Sequence, residues 1–164
     1  MMGMSRIVKT MTSITFPLAM IYGLYVIAHG HLTPGGGFQG GAVVASACAM
    51  ILVAYGSVWT MGKVKEKQLS ILESLGAIGF IGIAFFGLIL GAVFFKNFLV
   101  NKSLVLGPIK IGFFNGIGEG LSNINTAGVL PLMNFAVGLK VIAGLFAIVL
   151  VMAYATRLKG GVAE

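Results

Sequence analysis

The chain has 164 residues, of which 58% are hydrophobic and only 9% charged, with a mean hydropathy of +1.03. Soluble domains carry about 25% charged residues, so a water-soluble globular domain is excluded and a bundle of membrane spans remains. A net charge of +7 would suggest nucleic acid in a soluble protein. Here the lysines and arginines sit almost entirely between apolar segments, which reads as topology and contact with lipid headgroups, with no nucleic-acid partner.

Four segments are apolar over about 20 residues or more, the length that crosses roughly 30 Å of hydrocarbon. They are placed at 8–29, 38–59, 70–95 and 131–156. Backbone polar groups in lipid must be satisfied within the segment, so these are helices. The expected fold is all-α: a single membrane domain over residues 1–164, built as a four-helix polytopic bundle. The first segment follows a basic N-terminus. It is too long for a signal h-region and lacks a small-residue cleavage pattern, so it reads as a retained span. Pro17 lies inside it and should kink the backbone.

Between the first and second spans runs HGHLTPGGGFQGG, residues 29–41, with six glycines and one proline in thirteen positions. Glycine admits positive φ and close approach, and Pro34 fixes its own φ while biasing Thr33 toward extended geometry. The run is a built turn opening into a close-packed helix. The second span is small-sided: Gly37, Gly41, Ala45 and Ala49 recur every four residues, a pattern that lets another helix approach closely. The third span repeats the device with Gly76, Gly79, Gly82, Gly87 and Gly91. Two such helices imply packing against other subunits; the plainer alternative is that the small residues serve the chain's own bundle.

The linker at 60–69 holds Lys63, Lys65 and Lys67 against one acid, Glu66, and the loop at 96–130 is long and thinly charged. That loop could hold an amphipathic interfacial helix or a re-entrant piece. With the N-terminus inside, Arg6, Lys9, Lys63, Lys65, Lys67, Arg157 and Lys159 lie on the inner side, against Lys96, Lys102 and Lys110 outside. Seven against three favours both termini in the cytoplasm of a multi-pass protein of the cell membrane. Tyr55, Trp59, Tyr154, Phe94 and Phe95 fall where interfacial aromatic belts form.

Few side chains can carry chemistry. Lys140 lies nine residues past Pro131, about 13 Å along the helix and close to the midplane. A buried lysine loses its proton or finds a carboxylate or water that keeps it. That suits a proton relay or a lined cavity; the alternatives are a structural lysine paired with an acid or carbonyl of a neighbouring subunit, and exposure to lipid. Glu73, one turn inside the third span, suits an ion gate, but equally a helix N-terminal acid in a capping box with Ser70. His29 and His31 flank Gly30 at the outer surface, where imidazole suits proton exchange, or simply serve as turn residues. By depth these groups form a ladder from inner face to outer face. Glu119, Asn123, Asn125 and Thr126 read as turn and cap residues of the outer loop. Cys48 reads as a packing residue and Asn134 as a hydrogen-bonding one. One cysteine, two histidines and four scattered acids give no self-contained metal site. With no nucleotide fingerprint or nucleophile–base pair, no catalytic residue or cofactor is expected, and the chain is not an enzyme by itself.

The turn also resembles that of the MnhB/MrpB family, the B subunits of multisubunit Mrp-type sodium/proton antiporters. Those carry Gly-His-x-x-Pro-Gly-Gly-Gly-Phe-x-Gly-Gly at the first outer turn, and Gly30, His31, Pro34, Gly35, Gly36, Gly37, Phe38, Gly40 and Gly41 match it. The match backs His31 and not His29. It implies an accessory subunit that works beside other Mrp-type antiporter subunits in a large hetero-oligomeric membrane complex, in contact with membrane lipid. That complex is either a stand-alone antiporter or the antiporter-like module of a respiratory assembly such as a membrane-bound hydrogenase. In the second case the partners include redox subunits with iron–sulfur clusters. Two other readings stand beside an ion-path subunit. One is a scaffold that conducts nothing. The other is a homo-oligomeric channel, against which the lack of a polar stripe along any helix argues.

Overall fold

A computed structural model describes residues 4–32, 35–91, 94–95, 103–106, 109–112 and 128–160. Pro34, Lys96, Lys102, Glu119, Asn123, Asn125 and Thr126 lie outside them. The helices are α1 (Arg6–Ala28), α2 (Gly36–Tyr55), α3 (Ser57–Lys63), α4 (Glu66–Gly91) and α5 (Leu130–Gly160). Four of these, all but α3, are long and apolar enough to cross a membrane. The chain is thus an all-α, four-span bundle, as its hydropathy predicts.

The span ends differ from the sequence expectation. α2 stops at Tyr55, not Trp59, because Gly56 adopts φ 88°, ψ 159° and turns the chain into the short α3. Thr60 Oγ1 donates to the Gly56 carbonyl at 3.0 Å and secures the new first turn. α4 begins at Glu66, four residues before the expected start. Its cap is made where Lys65 N–H donates to Gln68 Oε1 at 3.4 Å. Ser70 and Glu73 are therefore interior helical residues, and the capping box assigned to them is overturned. α1 continues helical through Pro17. In the loop at 96–130 the described piece is not an interfacial helix. It is an antiparallel hairpin, β1 (Ser103–Leu106) with β2 (Ile109–Gly112), registered Ser103 to Gly112 and Leu106 to Ile109.

α2 packs between α1 and α5, and α4 packs on α5. α2 is the most enclosed of the spans and α1 and α4 the least. Its glycine face is taken up inside the chain. A Cβ at Gly40 would stand 2.7 Å from the Gly23 carbonyl oxygen of α1, and one at Gly41 3.0 Å from the Gly138 carbonyl oxygen of α5. For α2, then, the expectation of packing against other subunits is corrected: these small residues let its own bundle close. At the far end Leu52, Leu69, Phe146 and Leu150 form an apolar cluster joining α2, α4 and α5. The outward surface is apolar instead, with Ile7 at 73%, Ile78 at 67% and Ile89 at 76% exposure. Such a surface suits lipid or other membrane helices.

Candidate functional site

The first turn is fixed by backbone contact. Gly35 takes a left-handed conformation, φ 92°, that lets α2 start abruptly. A Cβ on Gly36 would overlap Gly30 Cα, and one on Gly37 would stand 2.7 Å from the Asn134 carbonyl oxygen. The side-chain amide of Asn134 lies against Gly30, 2.8 Å from where a Cβ would be. The glycines at 30, 36 and 37 thus bring three chain segments together: the end of α1, the start of α2 and the first turns of α5. Phe38 points outward, 60% exposed.

His29 closes α1, its N–H donating to the Tyr25 carbonyl at 2.9 Å. Its ring stacks on Tyr25, centroids 4.3 Å apart, and its buried Nδ1 has no hydrogen-bond partner among the described residues. His31 is half-buried in the same turn. No group of three or more His, Cys, Asp or Glu that could hold a metal occurs among the described residues.

Glu73 and Lys140 meet the same seam between α4 and α5. A Cβ at Gly76 would stand 2.8 Å from Lys140 N and 2.9 Å from Lys140 Cβ. One at Gly144 would stand 3.4 Å from both Cδ and Oε1 of Glu73. The helices run antiparallel here, 76 opposite 140 and 73 opposite 144. Glu73 and Lys140 therefore belong to levels one helical turn apart, about 6 Å along the seam. No ion pair joins them among the described residues, and the geometry explains why. Helical side chains lean toward their own N-terminus, so on antiparallel helices these two lean apart. Glu73 is half-buried and Lys140 exposed.

α5 measures the depth of every candidate. Asn134, level with the histidine turn, precedes Lys140 by six residues, about 9 Å, and Gly144 follows by four, about 6 Å. Six residues also rotate a helix by about 240°, so Asn134 and Lys140 occupy different faces. The structure brings Glu73 and Lys140 to one seam and leaves the histidines on another side of α5. The packing of Gly144 beneath Glu73 has no sequence signature; a lone glycine in an apolar helix carries no local mark of its partner.

Residues 7–147 match the domain related to the MnhB subunit of Na+/H+ antiporter. The chain is 36% identical over 138 residues to an uncharacterized protein of Methanocaldococcus jannaschii, covering 80% of this chain and 47% of that protein. It is also 30% identical over 87 residues to the B-type subunit of the Na(+)/H(+) antiporter of Bacillus subtilis, covering 53% of this chain and 52% of that one. The chain thus spans about half the length of these curated relatives. With the domain match running through α1, α2, α4 and most of α5, the chain belongs to the MnhB family.

Proposed function

We propose that this chain is an accessory subunit of a Mrp-type sodium/proton antiporter, or of the antiporter-like module of a respiratory complex such as a membrane-bound hydrogenase. In either setting it helps form the ion path between larger subunits, with both termini in the cytoplasm and no cofactor of its own. Family membership supports the class. The observation that carries the ion-path role is the α4–α5 seam, where Glu73 and Lys140 occupy levels one turn apart within membrane-length helices. Glycine packing holds the two helices together and fixes both residues at this seam.

The reading is tested in the intact complex, purified through this chain and reconstituted into proteoliposomes. Lys140→Ala and Glu73→Gln should each lower coupled Na+/H+ transport by about 100-fold or more, the low end of what a lost proton-transfer group removes, while the other subunits are all retained. Full transport by both variants would leave the scaffold reading, which the enclosed glycine face of α2 favours. Iron–sulfur or nickel proteins among the copurifying subunits would place the chain in a redox-driven pump; antiporter-like subunits alone would place it in a stand-alone antiporter.

A further inference from the structure

Lys140 lies ten residues past the start of α5, in a span that runs Leu130–Thr156. That is about 15 Å from one end and about 24 Å from the other. A lysine side chain reaches only about 6 Å, so an ammonium at this depth cannot snorkel to either surface of a roughly 30 Å core. Yet its side chain is exposed on the bundle, with no ion pair or hydrogen bond among the described residues. An ammonium facing acyl chains at that depth is costly unless a partner or water covers it. Glu73 leans away from it, and Gly76, packed on its backbone, offers no side chain. Nothing described in the chain covers the charge.

The surroundings have room for a cover. Toward the end to which Lys140 leans, contact between α4 and α5 loosens at the glycine one turn on from Gly76. A Cβ at Gly76 would stand 2.7 Å from the Ala136 carbonyl oxygen; at Gly79 the nearest atom is 3.6 Å away, and at Gly82 nothing lies within 4 Å. Gly79 thus adds no side chain at the level of Ala136, while Gly82, rotated about 240° from Gly76, belongs to another face of α4.

We infer that the Lys140 face of α5 is the docking surface for a transmembrane helix of a different subunit. That helix presents an aspartate or glutamate to Lys140. A carboxylate is the one side-chain class that both neutralises the ammonium and accepts its hydrogen bonds. A second copy of this chain fits poorly, since its four acids are scattered and the nearest to this depth, Glu73, lies on Gly144. The inference rests on the chain being a subunit of a larger membrane complex, and adds which face meets the partner and what chemistry the partner brings.

The test uses the complex purified from its native membrane through a tag on this chain. Lys140→Cys, in a Cys48→Ala background, is labelled with benzophenone maleimide and irradiated, and the adducts are sequenced by mass spectrometry. The expected product joins position 140 to a transmembrane segment of another subunit, within about one turn of an Asp or Glu. Lys140→Glu should then reduce recovery of that partner about tenfold or more through like-charge repulsion, and changing the identified acid to Lys should restore it. Lys140→Met, which keeps length without charge, should assemble within a few-fold of the natural complex and shows that the position tolerates substitution. Adducts confined to lipid, to a second copy of this chain, or to a segment without an acid would overturn the docking surface while leaving the subunit reading intact. Recovery of the tagged chain with no other subunit would overturn both.

Discussion

The carboxyl group of Glu73 rests on the bare backbone of Gly144, so close that a Cβ at Gly144 would stand 3.4 Å from Glu73 Cδ and Oε1. A carboxyl seated on glycine stays at the α4–α5 seam; a residue bulkier than alanine would push it outward. Alanine places its methyl at ordinary contact and also favours the helix, so Gly144→Ala should keep transport within about twofold of the natural level. Gly144→Val adds two methyls in the space of the carboxyl and should lower transport toward the level of Glu73→Gln. Sodium-dependent proton transport in everted vesicles reads both. Equal transport by the valine variant and the natural protein would show that the seat of Glu73 is without consequence.

The first turn makes a sharper demand. A Cβ on Gly36 would run into the backbone of Gly30, which cannot rotate away as a side chain can. Gly36→Ala should therefore destabilise by about 1–3 kcal/mol, as overpacking does. Gly82→Ala, whose Cβ would meet nothing within 4 Å, should be neutral or stabilising by up to about 1 kcal/mol within the isolated subunit. Thermal denaturation of the purified protein in detergent separates the two. A Gly36→Ala midpoint at or above that of Gly82→Ala would contradict the contact.

Gly56 presents a conformational constraint without a steric one. Nothing lies within 4 Å of its would-be Cβ, yet φ 88° with ψ 159° is a region that only glycine visits readily. Gly56→Ala should cost about 1–3 kcal/mol through backbone strain alone. Gly62→Ala, also in open space but inside α3 with no positive φ, is the control and should not destabilise. If the two variants melt together, the break between α2 and α3 is not held by Gly56.

The four spans are legible in the sequence because hydropathy over about 20 residues is a local property that the bilayer enforces. Their ends are less so, for a physical reason. Hydropathy marks where lipid begins, and a helix can run past it: α4 starts among the lysines of the linker, and its cap at Lys65 and Gln68 is hidden by the apparent capping box at Ser70 and Glu73. The break at Gly56 is masked because Val58 and Trp59 continue the apolar run. The hairpin does carry a local signal, two β-rich runs around Gly107 and Pro108, weaker than the length of the loop that holds it. At the candidate site, the sequence offers the depth of Lys140 and the residues of the turn. It cannot offer the pairing of 73 with 144 or 76 with 140, since antiparallel register is set by long-range packing.

Ile27 supplies the last prediction, because it fills a space shaped by two glycines on two helices. It is 2% exposed, and a Cβ at Gly40 would stand 2.6 Å from its Cγ1, one at Gly138 2.8 Å from its Cδ1. In lipid the two helices gain little from hydrophobic transfer, so this interlock of shapes is a main source of α1–α2–α5 adhesion. Ile27→Ala should destabilise by about 1–3 kcal/mol, below the usual range for a water-solvated core because mainly the cavity cost remains. Gly138→Ala should also destabilise, by forcing Ile27 off its rotamer. In the double variant the new methyl enters the cavity that Ile27 vacates. The two changes should then be less harmful together than their sum by about 0.5–2 kcal/mol, the size expected of touching residues. Strict additivity in detergent unfolding would mean that Ile27 does not seat on Gly138.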